Sequence, residues 1–423
     1  MVRAPLHTSR TSAPMNPSSP APSPPVAVLF SRFGPYHRAR LHAAALLLRE
    51  RSATPLIGIE VADRDRENPW VDKPTPSAFR PLTLFPGQDY RDLPPARIVA
   101  ALDAALTRER PAAVAIPGWS APEALAGLRW CRTTATPAIL MSESSRHDAA
   151  RQPWREWLKA RIVRQFAAAL VGGRANRDYA IALGMPTSRV FLGYDAVDND
   201  YFARGADAAR TNASAIRVQR HLPTNYFLAS SRFIAKKNIM GLLDAFARYR
   251  ARSTRPPWHR VRCGDGPLRA DIDREIQRLQ LTDIVHRPGF VPYADLPDYY
   301  GLAGAFVHAS LSEQWGLVVN EALAAGLPVL VSSACGCAPD LVVEGRNGFS
   351  FDPTDTEALA ALLLRMAEGN LDHPAMRTAA RDHIAHWGPV RFADGLTQAL
   401  SAARPSPYHP LDRLLLSSLL ISS

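Results

Sequence analysis

The chain has 423 residues, of which 47% are hydrophobic, enough for two domains of ordinary size each with its own core. Lysine and arginine number 50 against 39 acids, a formal charge of +11 that favours acidic partners such as nucleotides, anionic lipid surfaces or nucleic acid. No run reaches the ~18 apolar residues of a membrane span. The four cysteines, Cys131, Cys263, Cys335 and Cys337, form no paired Cys-x2-Cys set, which argues against structural zinc, and nothing points to an oxidising compartment.

Residues 1–25 are rich in Pro, Ser and Ala, lack an apolar core, and read as a disordered tail. A short apolar strand is predicted over 26–30, followed by Ser31-Arg-Phe-Gly-Pro-Tyr-His37 and a helix over 38–49 with Leu41, Ala44, Ala45 and Leu48 on one face. Strand, glycine-containing loop and helix is how an α/β sheet presents backbone N–H groups to an anion. Gly34 would allow close approach to a phosphate; a plain turn with a solvated His37 is the alternative. Strands are expected over 56–61 and 82–85, within a Pro-rich polar stretch, then a helix over 95–108 and a strand over 113–116. Trp119, in the loop that follows, suits either stacking on a sugar face or burial. The strand over 137–141 ends in Ser142-Glu143-Ser144.

Residues 151–166 place Trp154, Trp157, Leu158, Ile162 and Phe166 at helical spacing, with Arg151, Arg155, Lys159 and Arg164 on much of the rest. Such a helix can lie on an anionic membrane, or its apolar stripe can pack on the sheet with the cations in water. A strand over 167–171 leads into Gly172-Gly173 and a helix ending near Gly184. Residues 193–202 read as a hinge strand, and 203–222 as an irregular, charged linker. Asp63-Arg-Asp65 and Asp198-Asn-Asp200 have the Asp-x-Asp form of metal-dependent transferases; both read as chance composition.

In the second half a strand over 226–230 precedes Ser231-Arg-Phe-Ile-Ala-Lys-Lys237 and a helix that buries Ile239, Leu242, Leu243 and Phe246. Arg232 and Lys237 suit a phosphate, the first as a bidentate donor and the second as a mobile point charge. Arg262-Cys-Gly-Asp-Gly-Pro267 ends another strand, and a strand and turn over 286–291 carry Phe290 and Val291. Helix 293–302 and strand 305–307 lead to Glu313, in the loop after the strand, and to Glu321, in the next helix, with Gly316 between them. Gly326 and Pro328 stop that helix before a strand over 329–331. Carboxyl ends of parallel strands are where open α/β sheets bind ligands, and two acids there can accept hydrogen bonds from a hydroxyl-rich molecule. Trp387-Gly-Pro-Val-Arg-Phe392 begins a last helix. Residues 414–421 are apolar but too short to span a bilayer, and read as a flexible, sticky tail.

The stretch from Glu313 to Ala325 resembles the Glu-x7-Glu signature of family 4 retaining glycosyltransferases. Gly289-Phe290-Val291 before it and Gly345-Arg-Asn-Gly348 after it stand at family-like distances. Ser231 to Lys237 resembles the Gly-Arg-Leu-x3-Lys block, with Ser231 in place of its first glycine, and Gly264-Asp-Gly-Pro267 resembles a Gly-x-Gly-Pro turn. The likeness covers most of residues 26–400. It implies an α/β protein of the GT-B fold: two Rossmann-like domains facing across a cleft, with a C-terminal helix crossing back to the first. The implied division is an N-terminal acceptor-side domain over 26–202, a linker over 203–222, a donor domain over 223–386, a crossover helix over 387–403 and a tail over 404–423.

By the same resemblance Glu313 contacts the transferred sugar, Glu321 the ribose hydroxyls, Arg232 and Lys237 the diphosphate, and Phe290 and Val291 the base. Gly34, Gly264, Gly316 and Leu317 join the donor site, and Tyr36 and His37 are candidates for acceptor contact. Where many members carry a histidine that reaches the sugar, this chain offers Glu143 first and His147 second. The implied activity is retaining transfer from a UDP- or GDP-sugar to a glycan, lipid-linked or small-molecule acceptor. The leaving phosphate itself takes the acceptor's proton, and the donor is a co-substrate with no metal required. Exopolysaccharide, lipopolysaccharide or glycolipid synthesis is the implied setting, in the cytoplasm, with peripheral contact at the inner membrane face through 151–166. A sugar-nucleotide epimerase or hydrolase of the same fold is the first rival, and a non-catalytic nucleotide-sugar scaffold the second. A nucleic-acid partner is not expected, because no basic stripe carries interleaved aromatics.

Overall fold

Thirteen strands divide between two parallel sheets in the computed structural model, which describes residues 23–66, 77–148, 151–369, 371–404, 416 and 418. The first sheet holds β1 (Val26–Phe30), β2 (Leu56–Arg64), β3 (Arg80–Asp89), β4 (Ala113–Pro117), β5 (Ala138–Ser142), β6 (Ala168–Val171) and β7 (Val190–Leu192). Its order is β3-β2-β1-β4-β5-β6-β7. The second holds β8 (Tyr226–Ser230), β9 (His259–Cys263), β10 (Val285–Gly289), β11 (Ala305–His308), β12 (Val329–Ser332) and β13 (Gly348–Phe351), in the order β10-β9-β8-β11-β12-β13.

Every pairing is parallel. A parallel sheet is covered by helices on both faces, so its central strands are apolar throughout rather than alternating. All five residues of β1 and all four of β12 are buried. Strand order reverses between β1 and β4 and again between β8 and β11, and crevices open beyond the strand ends at such points. The segments after β1, β8 and β11 are those that carry Tyr36, Arg232 with Lys237, and Glu313.

The last helix, Pro389–Ala402, packs on Pro35–Ser52 of the first lobe. Phe392, Leu396 and Ala399 share one core with Leu41, Ala44 and Leu48. The molecule is therefore two Rossmann-like lobes with a C-terminal helix that crosses back, the arrangement the sequence implied.

Two segments differ from their reading. Residues 203–222 are helical, in Asn199–Thr211 and Ala213–Arg220. Phe202, Ala206 and Ala209 recur every three or four positions and are buried with Tyr299 and Tyr300 of the second lobe. The charged residues between them hid this stripe. The expected hinge strand over 193–202 is absent too, since β7 ends at Leu192 and the chain passes into the helix capped by Asp198, whose carboxylate accepts from the Tyr201 N–H at 2.9 Å.

Asp63 accepts from the Gly87 N–H and Asp65 lies 3.6 Å from Arg91, so both Asp-x-Asp runs hold local structure together. Among the described residues no helix is long and apolar enough to cross a membrane. The tail readings for 1–22, 405–415, 417 and 419–423 fall outside the described residues; Leu416 is buried in the first lobe's core.

Candidate active site

The loop after β8 is held by backbone contacts and by the Arg262 guanidinium, which donates to Ser231 Oγ at 2.7 Å. Ser231 N–H donates to the Cys263 carbonyl at 3.1 Å and Phe233 N–H to the Asp265 carbonyl at 2.8 Å. Gly264 sits at φ +127°, and a Cβ there would lie 2.0 Å from the Ser231 carbonyl oxygen, so only glycine lets the two loops meet. The 3-10 turn Ala235–Lys237 then points its lysines at the loop after β11, where Leu311 N–H donates to the Lys236 carbonyl.

Glu313 receives those lysines. Its carboxylate is hydrogen-bonded by the Lys237 ammonium, with Lys236 at 3.8 Å, Ser310 Oγ at 3.3 Å and His308 Nε2 at 3.4 Å. Burial acts to raise the Glu313 pKa, but the His308 hydrogen bond and the Lys237 charge outweigh it and hold the carboxyl well below its usual range. Burial foremost lowers His308, which stays neutral and can donate through Nε2.

Glu321 lives in the opposite environment. Gly316, at φ +108°, opens the helix Leu317–Ala324 and puts Glu321 on its buried side, 1% exposed. Among the described residues no ion pair reaches it. Tyr300 donates to Oε2 at 2.6 Å, and Tyr36, from the first lobe, donates to Oε1. Burial raises its pKa to about 7, and the two tyrosine hydroxyls only partly offset that. Tyr36 lies edge-on to Tyr293 at 5.8 Å, and Tyr293 stacks on Tyr201 at 4.8 Å.

The first lobe contributes a second acid pair. Glu143, just past β5, interacts electrostatically with Asp195, and Arg40 Nη2 lies 3.8 Å from Asp195. Asp195 is fully buried. Burial first, and then the Glu143 charge, raise Asp195 well above its ordinary value. The lobes also clasp each other. Arg174 N–H and Nε donate to the Asp340 carboxylate at 2.9 and 2.8 Å, and Gln314 reaches Asp148 at 3.4 Å. A Cβ at Gly173 would lie 2.2 Å from Asp340 and 2.6 Å from the buried Trp315 ring, so the close approach of the lobes depends on that glycine.

Glu313, Glu321 and Glu143 line one cavity of about 980 Å³ between the lobes. Arg232, Lys237, Gly264, Phe290, Val291, Glu313, Gly316, Leu317, Glu321 and Glu143, all singled out in the sequence, meet on its wall, together with Tyr36. Gly34 and His147 do not. The Gly34 N–H donates to His37 Nδ1 at 3.0 Å, which caps the helix instead of cradling an anion. His37 is held neutral, its pKa lowered to about 3 by burial and then by Arg40 and Arg32. His147 is exposed on the loop after β5, its N–H turned to Ser145 Oγ, which leaves Glu143 as the acid at that strand end. Trp119 is half-buried with its ring 6.4 Å from Tyr179, away from the cavity. His308, Tyr300, Asp195 and Arg40 escaped the sequence reading. His308 alone left a signal, as the polar end of the apolar strand Ala305–His308.

Residues 214–383 match the family model described as glycosyl transferases group 1. Over 176 residues the chain is 32% identical to probable sucrose-phosphate synthase 3 of Arabidopsis thaliana, covering 38% of this chain and 16% of that one. The matched segments span between 16% and 31% of the length of the first three curated relatives. The solved sucrose-phosphate synthase of Thermosynechococcus elongatus superposes with a TM-score of 0.68 at 19% identity, over 88% of this chain and 97% of that one. Anabaena HepE in complex with UDP superposes with a TM-score of 0.65 at 17% identity, over 89% and 99%. The fold is GT-B, and the match to the glycosyl transferases group 1 model falls in its second lobe.

Proposed function

We propose that this chain is a family 4 glycosyltransferase that moves a sugar from a UDP- or GDP-sugar to a glycan, lipid-linked or small-molecule acceptor with retention of anomeric configuration. The observation that carries the reading is one cavity whose wall brings Arg232 and Lys237 together with Glu313 and Glu321. As the bond from sugar to diphosphate breaks, charge grows on the leaving phosphate. Fixed cations and the N-terminus of the helix Leu317–Ala324 can stabilise it.

Lys237 stands between two anions in this reading, the diphosphate and Glu313. Glu313 stays ionised and accepts from hydroxyls of the transferred sugar. Glu321 accepts from the ribose, and Phe290 and Val291 flank the base. Glu143, on the cavity wall beside Asp195, offers negative charge from the first lobe to the developing sugar cation. No side chain is needed as general base, because the departing phosphate can take the acceptor's proton on the same face. The UDP of the Anabaena structure supports a nucleoside diphosphate in this cavity. A setting in cytoplasmic glycan or glycolipid synthesis goes with that reading.

The test is a transfer assay with labelled UDP- and GDP-sugars, with and without a mixed pool of glycan and polyprenyl-phosphate-linked acceptors. Nucleoside diphosphate release that depends on acceptor, with an anomer of unchanged configuration in the product, is expected. Conversion of the donor alone would replace transfer by epimerisation or hydrolysis. Turnover is expected to persist in excess EDTA; loss restored by Mg²⁺ or Mn²⁺ would overturn the role given to Arg232 and Lys237.

A further inference from the structure

The basic tryptophan-bearing segment does not pack as a single apolar stripe. Its helix, Pro153–Val163, buries Ile162 and Val163, while Trp154 and Trp157 are 62% and 59% exposed. The cations also divide into two sets. Arg151 is tied inward to Asp148 at 2.7 Å and to the Tyr179 hydroxyl at 2.8 Å, and Lys159 to Glu156 at 2.9 Å. Glu156, the helix's single acid, is thereby turned to the inner side, where it also accepts from the Tyr179 hydroxyl. On the outer side the Arg155 guanidinium lies over the Trp154 ring at 5.1 Å and that of Arg161 over Trp157 at 5.5 Å. Arg146 and Arg164 are exposed nearby in the chain.

We infer that this face is a docking surface for an anionic lipid bilayer. Tryptophan rings settle at the headgroup level, where one edge meets apolar chains and the other meets water. Guanidinium groups beside them can take lipid phosphates bidentately. A protein partner would call for a dry apolar centre depleted of charge. Here each exposed ring carries a cation, and the one acid of the helix faces inward, so the surface is matched to a negatively charged sheet. The helix is also joined to the cleft. Glu143 lines the cavity, and Asp148, five residues on, meets the second lobe, where Ser312 Oγ donates to the Asp148 carbonyl at 3.2 Å. A bilayer on this face would present a lipid-linked acceptor to the cleft; that last link rests on the transfer reading, the docking does not.

Vesicle flotation with the full chain separates the two. Binding to phosphatidylcholine vesicles containing phosphatidylglycerol is expected, with little binding to phosphatidylcholine alone and release by high salt. Arg155→Gln and Arg161→Gln should each weaken partition about fivefold, and Trp154→Ala with Trp157→Ala should weaken it further. Thermal unfolding and affinity for a nucleoside diphosphate should stay unchanged in these variants, which shows that they fold. Binding indifferent to phosphatidylglycerol, or unaltered in the variants, would overturn the inference. So would tryptophan-dependent dimerisation in sedimentation without vesicle binding, which would give the face to a second copy. None of these readouts measures transfer, so an inactive protein that floats leaves the docking intact.

Discussion

Tyr36, from the first lobe, donates its hydroxyl hydrogen bond to Glu321 of the second, so the cleft is bridged at the carboxylate assigned to the donor's ribose. Tyr300 already holds the other oxygen from below, at 2.6 Å. A ribose hydroxyl that donates to Glu321 therefore competes with Tyr36. Removing that hydroxyl should favour the ligand by about the worth of one hydrogen bond, ~1 kcal/mol, or some fivefold in affinity. Tyr36→Phe is expected to bind the nucleoside diphosphate more tightly in calorimetry. Weaker binding would make Tyr36 a ligand contact instead of a competitor.

The two acids should act on stability in opposite directions with pH. Glu321 has its folded pKa raised by burial to about 7 against 4.5 when unfolded, so the fold prefers it protonated. Its contribution is full below about pH 4.5 and is lost as pH rises through about 7. Glu313 has its pKa lowered, so its contribution is present above pH 4.5 and is lost as pH falls below that value. Urea denaturation between pH 5 and 8 should show a decline in stability that Glu321→Gln flattens and Glu313→Gln leaves in place. Parallel curves for wild type and Glu321→Gln would contradict the environment described for Glu321.

Lys237 and Glu313 form a pair that is nearly out of water, with side chains 13% and 12% exposed. Removing one partner from such a pair leaves an uncompensated charge, at a cost of about 3 kcal/mol or more. Lys237→Ala should therefore destabilise the fold more than the double change Lys237→Ala with Glu313→Gln does. In turnover, Lys237→Ala and Arg232→Ala should each lose on the order of 10²-fold, the scale of a lost charge-stabilising donor. Steady-state rates and thermal melts on the same four proteins decide both points. A double variant no more stable than the single one would remove the coupling.

The lobes meet through Gly173, where any side chain would collide with Asp340 and Trp315. Gly173→Ala should hold the lobes further apart, seen as a larger radius of gyration in solution scattering and a raised KM for donor. Arg174→Ala, which removes the guanidinium part of the Asp340 clasp and keeps the backbone N–H bond, should have the smaller effect of the two. Equal scattering profiles for Gly173→Ala and wild type would show that the contact does not set the separation.

Much of this was legible in the chain because the strong signals are local. β1 and β8 were read to the residue, since their apolar runs are bounded by Gly, Pro or polar loops. Glu313, Glu321, Arg232 and Lys237 were identified from motif spacing, and all four line the cavity. What stayed hidden depends on partners distant in sequence. Arg40 lies 155 positions from Asp195 yet works beside it, and nothing in a window around either announces that. Gly34 looked like a phosphate cradle because a glycine before a helix has two uses, and only the placement of His37 Nδ1 decides for the cap. Residues 203–222 looked irregular because charge density was weighed above the spacing of Phe202, Ala206 and Ala209, whose burial needs the second lobe.

The central claim is tested most directly by isothermal titration of UDP, GDP and ADP into the wild-type chain and into Arg232→Ala, Lys237→Ala and Glu321→Ala. One diphosphate is expected to bind, and each substitution to weaken it at least tenfold, with free UMP or GMP bound less tightly than its diphosphate. Binding of none of the three, or binding that the three substitutions leave untouched, would contradict the placement of a nucleotide in this cavity.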